Sequence, residues 1–546
     1  MPTDPVNHIA VAPVLVPLVT GVVALLLRNR RRARIGVSMA GGVLTLLASF
    51  GVALEARNQV LVYHLGGYLV DGVPYGILLE VDALSGFMMA FSSFVMLVSL
   101  VYALESVAER AQRVSFHGLW HIMTAGVMGA FSTGDLFNLF VWFEVMLMSS
   151  YVLVVLYSGS ESTRSGFYYI AVNLVGSALM LISIGGVYAV VGTLNMADIA
   201  RRVSQPGFES APLYGVAALL LVAFLLKAGV APFHFWVPEV YPASPTPVAS
   251  ALAGVVKKVG VYGMIRVFGT VLVPLGGFYS DVILGLGLVS AVYGGWAAVS
   301  RDTLLDVLSY SSVAQVGLIL VGVGIGIDPD LSPGVRALGV TAALVYSLNH
   351  AVLKSLLFLA AGRLSESLAT TRLESLGGLS RKAPVVSYSF FVGAVALVGI
   401  PPLNGFFGKL LVFDSGVRAD SAVVVAGSLL ASVLTVVYLS RAWTEAFWGE
   451  TSEVAETYPG DRLGNYVGIA PIVVLVITAV LIGLFFDPVL GYAETAAHAA
   501  LDTSSYVDAA LPENATGSGV GAAAKQVGNI TATVISGLVP WSEGGK

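Results

Sequence analysis

The chain has 546 residues, of which 56% are hydrophobic and only 11% are charged, with a mean hydropathy of +0.85 and a net charge of −5. Soluble domains carry about 25% charged residues, so this composition excludes an ordinary soluble protein and indicates a chain that lies mostly in lipid. The lack of cysteine excludes disulfides and thiolate metal sites, and the seven histidines are scattered along the sequence. We therefore expect no metal, no cofactor and no nucleic-acid partner.

Apolar runs of about 20 residues, long enough to cross a hydrocarbon core of about 30 Å, recur along the chain. They predict an all-α polytopic membrane protein with about fourteen transmembrane helices. We do not expect the first run to be a cleaved signal peptide, because its positive charges follow the run instead of preceding it. We number the runs as spans 1 to 14, at residues 9–27, 35–54, 83–104, 115–132, 136–157, 167–191, 212–231, 246–272, 281–299, 307–327, 337–361, 385–413, 422–444 and 466–486.

Loop charges predict the orientation, since Lys and Arg accumulate on the cytoplasmic side of a membrane. Alternation from the basic loop after span 1 places fifteen Lys and Arg residues inside and seven outside. We therefore expect a multi-pass protein of the plasma membrane with both termini outside. The loop that sets this orientation contains five arginines, which are Arg28, Arg30, Arg31, Arg32 and Arg34.

The tail after residue 487 is rich in small residues. Residues 524–539 could form an amphipathic helix on the outer surface, or the tail could be an unstructured terminus. Two glycosylation-type sequons, at Asn514 and Asn529, are weak signals.

One carboxylate lies near the middle of span 5, where Glu144 occurs in the stretch LFVWFEVMLMSSY. A lone carboxylate in lipid is unfavourable unless it is paired, hydrated or protonated. Glu144 is therefore either a proton or ion site beside a cation, or one half of a static ion pair that fixes helix packing.

Lysines are concentrated in the spans, although the chain has only eight of them against twenty arginines. A lysine in mid-membrane costs about 2.5–3.5 kcal/mol on insertion scales, so chance would place lysines in loops. This enrichment is the strongest functional signal in the sequence. The five lysines within spans are Lys227, Lys257, Lys258, Lys354 and Lys409.

Span 7 places Lys227 just before Pro232 and Pro238, in FLLKAGVAPFHFWVPE. Burial disfavours the charged form of a lysine and a nearby carboxylate favours it, so a carboxylate that approaches or withdraws switches the proton occupancy. Prolines break a helix, and broken helices at membrane depth line hydrated cavities or ion sites. The alternative is that Lys227 reaches towards an interface.

Span 8 carries Lys257 and Lys258, and its residues Lys258, Tyr262 and Arg266 are spaced by four, so that they share one helix face. Such a face is typical of a hydrated lining. The spacing does not decide which of the two lysines faces the interior. Arg266 fits an interfacial anchor better than a member of a proton relay.

Span 11 places His350 and Lys354 one turn apart on one face. A lone buried histidine is usually a satisfied core residue, but one beside an intramembrane lysine favours a relay.

Span 12 pairs Lys409 with the break at Pro401 and Pro402. Two broken spans that each carry a lysine lie five spans apart, which indicates an internal repeat of about five helices. Because five is an odd number, the two copies would be antiparallel in the membrane.

Several long motifs accompany these residues across residues 9–486. They are LGGYLVDGVPYGILLEVDALSGFMM, GAFSTGDLFNLFVWFEVMLMSSY, GTLNMADIA, KAGVAPFHFWVPEVYPASPTPVASALAGVVKKVGVY, LSYSSVAQVGLI, NHAVLKSLLFLAAG and GIPPLNGFFGKLL. With these motifs the chain resembles the D subunit of Mrp-type multisubunit cation/proton antiporters, a relative of the antiporter-like subunits of respiratory complex I.

The resemblance implies fourteen helices with two inverted five-helix repeats and discontinuous helices 7 and 12. It divides the chain into residues 1–114 (helices 1–3), 115–274 (first repeat), 275–445 (second repeat) and 446–546 (helix 14 and tail). It assigns proton transfer to Glu144, Lys227, Lys258, His350, Lys354 and Lys409. Lys257 is an extra lysine beside the one that the family motif places on span 8, and the long tail also departs from the family.

The function implied is that of a proton-translocating membrane subunit of a monovalent cation (Na⁺)/H⁺ antiporter, a transporter subunit and not an enzyme by itself. Its expected partners are other subunits of the complex, protons, Na⁺ and the lipid bilayer. The first alternative is a proton-pumping subunit of a complex I-type oxidoreductase or a membrane-bound hydrogenase. The second is a structural role, in which buried ion pairs only fix the packing of the helices.

Overall fold

The computed structural model describes residues 5–65, 69–70, 73–74, 77–155, 160–459 and 466–511, and these residues are mostly helical. The tail segment at 524–539 and both sequons lie outside the described residues. The helices in the first half of the chain are α1 (Ala12–Leu26), α2 (Arg31–Ala56), α3 (Ala83–Ser106), α4 (Glu109–Ala111), α5 (His117–Ser132), α6 (Leu136–Val155), α7 (Ser160–Val191), α8 (Met196–Val203), α9 (Ala211–Ala228), α10 (Trp236–Val240), α11 (Thr246–Ala251) and α12 (Lys258–Met264).

The second half of the chain continues in the same way after a 3-10 turn at Val273–Leu275. A further 3-10 helix, Pro5–Val11, precedes α1, and π-helical turns occupy Gln112–Phe116, Leu252–Val256 and Ile265–Val271. The remaining helices are α13 (Gly276–Val299), α14 (Leu304–Ile327), α15 (Pro333–Leu368), α16 (Leu373–Leu376), α17 (Leu379–Lys382), α18 (Pro384–Val398), α19 (Asn404–Arg418), α20 (Ala422–Ala446), α21 (Glu453–Glu456), α22 (Tyr466–Leu484), α23 (Asp487–Leu501) and α24 (Thr503–Ala510).

Twelve helical stretches in the described part of the chain are long and apolar enough to cross a membrane. The other two predicted spans correspond to shorter helices. Span 4 is the 16-residue α5, and span 12 is divided between α18 and α19, of 15 residues each. The chain is thus a multi-pass α-helical membrane protein. The count of fourteen crossings, the inverted repeats, the four domain boundaries and the outside position of the termini stay predictions.

Both breaks expected from the prolines are present. Helix α9 ends at Ala228, where Gly229 adopts a left-handed conformation (φ +67°), and α10 begins at Trp236. Helix α18 likewise ends at a left-handed glycine, Gly399 (φ +96°), and α19 begins at Asn404. Glycine is the residue that reaches this conformation at little steric cost, and proline cannot donate the next backbone hydrogen bond, so each helix stops where the sequence indicates.

Two short hairpins between α2 and α3 were not predicted from the sequence. Strand β1 (Leu61–His64) pairs antiparallel with β4 (Leu78–Val81), and β2 (Leu69–Val70) pairs with β3 (Val73–Pro74). Leu79 of β4 bridges Thr133 in the turn between α5 and α6, and Asp135 of that turn bridges Asn195, which caps α8. The β1–β4 pair, this turn, α8 and α24 therefore form one layer at one end of the helices, which we call the hairpin side.

Candidate functional site

Lys227 lies in the last turn of α9, immediately before the break, and only 1% of it is exposed. Its Nζ is 3.5 Å from the hydroxyl oxygen of Tyr169 on α7 and 5.9 Å from the centre of that ring. At the break the backbone oxygen of Leu226 accepts two hydrogen bonds, one of 3.1 Å from the backbone N–H of Gly229 and one of 2.8 Å from the indole N–H of Trp236. The interpretation of Lys227 as an interfacial side chain is therefore wrong: it is enclosed by protein.

Glu144 lies half-buried on α6, and its carboxylate accepts a hydrogen bond from the hydroxyl of Ser177 on α7. Among the described residues it makes no ion pair within 4 Å, so Glu144 and Lys227 are not in direct contact. Each of the two residues contacts a hydroxyl group of α7, Glu144 that of Ser177 and Lys227 that of Tyr169. The two ionisable groups are thus separate, and α7 packs against the helices that carry them.

Tyr169 of α7 connects Lys227 to α6. Its buried hydroxyl lies 3.1 Å from the Ser150 hydroxyl on α6 and faces Lys227 on the other side. Its ring packs against Trp236 with a centroid distance of 5.1 Å, which ties it to the segment after the break. A phenol can both donate and accept a hydrogen bond, so Tyr169 is placed to pass a proton to or from Lys227.

Lys257 and Lys258 both face the interior, which answers the question that the sequence left open. The π-helical turn Leu252–Val256 precedes them and changes the helical register locally. Lys257 Nζ donates to the Ser312 hydroxyl at 3.2 Å and lies 5.7 Å from the Tyr241 ring centre. Lys258 Nζ donates to the backbone oxygen of Ala253 at 2.9 Å and contacts His350.

His350 lies between these two lysines. Its Nδ1 is 2.5 Å from Nζ of Lys258, and its Nε2 is 3.5 Å from the hydroxyl of Ser312, which is the group that Lys257 contacts. When the Lys258 ammonium donates to Nδ1, the imidazole is neutral and its Nε2–H points to Ser312. A proton taken up at one ring nitrogen can leave from the other, so the arrangement fits a relay between the two lysines.

Lys354 lies one turn from His350 on α15 and contacts Ser311 of α14, the residue next to Ser312. Its Nζ donates to the Ser311 hydroxyl at 2.7 Å and to the backbone oxygen of Leu308 at 3.0 Å. Ser311 is 2.7 Å from the hydroxyl of Tyr438, which accepts a hydrogen bond of 3.0 Å from the Gln315 amide. Ser311 therefore joins Lys354 to the network of Tyr438 and Gln315. Ser312 joins His350 to Lys257.

Lys409 lies in the second turn of α19 and is 6% exposed. Its Nζ donates to the backbone oxygen of Val398, the last residue of α18, at 3.0 Å. The negative end of the α18 dipole and a carbonyl released by the break thus face this ammonium. The polar network reaches this region through Tyr346, whose hydroxyl donates to Gln315 and whose ring packs against the backbone of Gly408.

The structure brings the six predicted residues into three neighbouring clusters. The first contains Glu144 and Lys227, the second Lys258, His350 and Lys354, and the third Lys409. Spacing alone could not select the polar partners between them, because serine and tyrosine are common in apolar runs. The partners that were missed are Tyr169, Ser177, Ser311, Ser312, Gln315, Tyr346 and Tyr438, of which three lie in the motif LSYSSVAQVGLI.

The interpretation of Arg266 as an interfacial anchor is wrong. Its side chain is fully buried and forms an ion pair of 2.7 Å with Asp82, the N-cap residue of α3. A buried guanidinium needs a charged partner. That partner lies next to the hairpins between α2 and α3, which were not predicted from the sequence.

The fold and these clusters define a class of protein: a multi-pass α-helical membrane protein with several buried ionisable groups, some of which lie beside two broken helices. A sequence profile of the family described as NADH:quinone oxidoreductase/Mrp antiporter, TM, matches residues 133–435, which is more than half of the chain. The chain belongs to this family.

Individual relatives agree with that membership. The chain is similar to the D subunit of the Na(+)/H(+) antiporter of Alkalihalophilus pseudofirmus, with 32% identity over 93% of this chain and 100% of that one. It is also 31% identical to the N subunit of the NADH-quinone oxidoreductase of Desulforudis audaxviator, over 88% and 97% of the two chains. Its fold matches a chain of the Mrp complex from Dietzia sp. DQ12-45-1b with a TM-score of 0.84, 26% identity and coverage of 93% and 99%.

Proposed function

We propose that this chain is the proton-translocating membrane subunit of a multisubunit Na⁺/H⁺ antiporter. The observation that carries the proposal is the arrangement around His350, which contacts Lys258 directly and Lys257 through Ser312. Static packing does not need three titratable groups within one buried hydrogen-bond network. A network of this kind is expensive to bury, so its presence favours proton transfer.

The separation of Glu144 from Lys227 supplies the switch. When the carboxylate approaches Lys227, it stabilises the ammonium form, and when it withdraws, burial favours loss of the proton. The released proton passes through Tyr169 and water towards Lys257 and His350. Water then carries it from the Ser312 network to Lys354, and the Tyr438–Gln315 network continues towards Lys409. Each step moves one proton between groups that already lie in or beside the polar clusters.

The antiport role, Na⁺ as the cation and the partner subunits rest on the relatives named above. A further observation favours assembly with a partner near Glu144: the outward face of α6 exposes Phe137, Val141, Met148 and Val152 around it. A neighbouring subunit that covers this face would place its own charged groups beside the carboxylate. The proposal also takes the protein to be in the plasma membrane with both termini outside, in agreement with the loop charges.

The alternative is a proton-pumping subunit of a complex I-type oxidoreductase, which the similarity to an N subunit of such an enzyme favours. Both functions would use the same buried groups, so the site alone does not separate them. The proteins that co-purify with the chain do: antiporter subunits support the proposal, and iron–sulfur or flavin subunits support the alternative.

Exchange measurements on the purified complex in liposomes test the proposal. Lys227→Ala and Glu144→Ala should each abolish Na⁺-driven proton movement, read from an entrapped pH-sensitive dye, and leave the subunit composition intact. Lys382→Ala is the matched control, because Lys382 is a partly exposed lysine that pairs with Glu456 outside the spans. Wild-type exchange by both the Lys227→Ala and the Glu144→Ala complexes would refute the assignment.

A further inference from the structure

The face of span 8 formed by Lys258, Tyr262 and Arg266 continues from the relay to the hairpin side. All three side chains are fully buried, and each residue is four positions, or about 6 Å along a helix axis, from the next. Lys258 contacts His350, while Arg266 pairs with Asp82 at the other end. A buried polar face about 12 Å long is costly within a membrane unless its groups interact or carry a function.

The middle of this face is hydrogen-bonded. The Tyr262 hydroxyl donates to the backbone oxygen of Phe131 at 3.0 Å, lies 3.0 Å from the Ser85 hydroxyl and accepts from Nε of Arg266 at 3.4 Å. Arg266 also donates to Asp82 at 2.7 Å. Tyr262 thus joins the helix that carries Lys258 to the carboxylate at the start of α3.

Glu80 lies two residues before Asp82 and ends this series. It is 1% exposed. Among the described residues neither of its oxygens makes a hydrogen bond of ordinary geometry, and the Tyr506 hydroxyl is the side-chain donor that interacts with them. A Cβ added to Gly134 would be 2.9 Å from its Oε2, so the turn between α5 and α6 closes tightly over it. The ion pair of Arg266 is with Asp82, and Glu80 forms none within the described residues.

The charged and titratable groups around Glu80 come from three other elements. Arg266 lies on the π-helical end of span 8, Asp82 caps α3, and Tyr506 belongs to α24, with its ring 4.7 Å from the guanidinium carbon of Arg266. Asp82 in turn faces Tyr262 and, on α23, Tyr492. Burial raises the pKa of the Glu80 carboxyl well above its ordinary value, and the Arg266 charge opposes part of that rise.

We propose that Glu80 is a proton-binding site at the end of a transverse branch, which exchanges protons between Lys258 and the hairpin side through Tyr262 and the Asp82–Arg266 pair. In the transfer, the Lys258 ammonium loses one proton and the Glu80 carboxylate gains it, so the total charge of the branch and Lys258 is unchanged. Water completes the steps between Lys258 and Tyr262 and beyond Tyr262. Arg266 keeps its proton throughout and holds Asp82 in place.

A purely structural role would not require an ionisable side chain at position 80. The Asp82–Arg266 pair already attaches the hairpin region to span 8, and a neutral amide at position 80 would fill the same volume as the carboxyl without the cost of an ionised form. A titratable group in this place therefore indicates that its proton is used. This inference rests on the proposed function, since the branch starts at the relay residue Lys258.

The test uses the complete complex, purified with its partner subunits and reconstituted into phosphatidylcholine liposomes with an entrapped pH-sensitive dye and an imposed Na⁺ gradient. The variants are Glu80→Gln and Tyr262→Phe, both of which keep the side-chain shape. Glu55→Gln is the matched control, because it makes the same change at an exposed position near the end of α2 that leads into the hairpins. Co-purification of the partners checks assembly.

We expect Glu80→Gln and Tyr262→Phe each to slow proton exchange by about tenfold or more, and Glu80→Gln to flatten the dependence of the rate on the pH of the hairpin side. Glu80→Asp should restore part of the rate, and Glu55→Gln should match the wild type. An unchanged rate and pH profile for Glu80→Gln overturns the branch. Should that variant fail to assemble, an unchanged rate for Tyr262→Phe overturns it instead.

The same preparation separates this inference from the function on which it rests. If Glu144→Ala abolishes exchange and Glu80→Gln does not affect it, the relay is upheld and only the branch is refuted. If Glu144→Ala leaves exchange intact, the proposed function itself is refuted.

Discussion

Lys257 lies directly against Gly229, the residue at which α9 stops. A Cβ built on Gly229 would be 3.2 Å from Nζ of Lys257 and 2.6 Å from a methyl group of Val237. The break of span 7 and the extra lysine of span 8 are therefore parts of one structure: the missing side chain makes room for the ammonium group. Because Ser312 joins Lys257 to His350, this contact also links the second cluster to the segment that carries Lys227.

Replacing Gly229 by alanine should damage both stability and exchange. Its φ of +67° costs an alanine about 1–2 kcal/mol, and the Val237 contact requires a further shift. We expect a lower unfolding temperature of the complex in detergent and slower Na⁺-driven proton exchange in liposomes. Gly285→Ala is the control, because a Cβ there meets nothing within 4 Å and the residue lies within the regular helix α13. Equal melting curves for the two variants would contradict the steric argument.

Ser312 is predicted to be a relay residue, since it joins Lys257 to His350. Ser312→Ala keeps the helix and removes the hydroxyl, so we expect proton exchange to slow by about tenfold, equivalent to about 1.4 kcal/mol in the barrier. The dye assay in liposomes measures this rate. Ser309→Ala, one turn away on α14, removes a hydroxyl that donates only to the backbone oxygen of Leu305. If both variants exchanged at the same rate, Ser312 would have no specific role.

The sequence revealed the ionisable groups of the site because the membrane makes them costly. Glu144, Lys227, His350 and Lys409 stand out within apolar runs, and prolines mark the two breaks. The partners do not stand out: Ser312 resembles any small residue of an apolar helix. The inward orientation of both Lys257 and Lys258 depends on a π-helical turn, which a regular helical period does not anticipate.

The hairpin carboxylates were missed for a different reason. Glu80 and Asp82 lie just before an apolar run, where charged residues are usually solvated loop groups. Only the fold shows that the turn between α5 and α6, together with α24, covers them. The prediction that Arg266 lies at an interface was wrong for the same reason. Its partner Asp82 belongs to this region, and its position could not be predicted from the sequence.

Tyr169→Phe tests the path between the first and the second clusters. The variant keeps the ring that packs on Trp236 and loses the hydroxyl that faces Lys227, so the proton must cross a longer gap. We expect exchange to slow by at least about tenfold with no loss of assembly, measured in the same liposomes. Tyr188→Phe, at an exposed position of the same helix, should exchange like the wild type. A Tyr169→Phe complex of normal rate would show that protons reach Lys227 by another route.

The raised pKa of Glu80 predicts how stability depends on pH. Its ordinary value is 4.5, and burial raises the pKa in the folded protein well above that. The folded state therefore holds this proton more tightly than the unfolded state does. The resulting stabilisation is fully present below the unfolded-state pKa and is lost as the pH rises through the folded-state pKa.

Glu80→Gln removes this contribution, because an amide does not titrate. As the pH rises above 4.5, the unfolding temperature of the wild-type complex should therefore fall relative to that of the variant, until Glu80 is ionised. Tryptophan fluorescence melts of both complexes in detergent, at a series of pH values, measure the difference. Glu55→Gln should follow the wild-type curve, since Glu55 is exposed. Parallel curves for wild type and Glu80→Gln would mean that the carboxyl binds its proton no more tightly in the folded protein than in the unfolded chain, and the argument for a buried protonated Glu80 would fail.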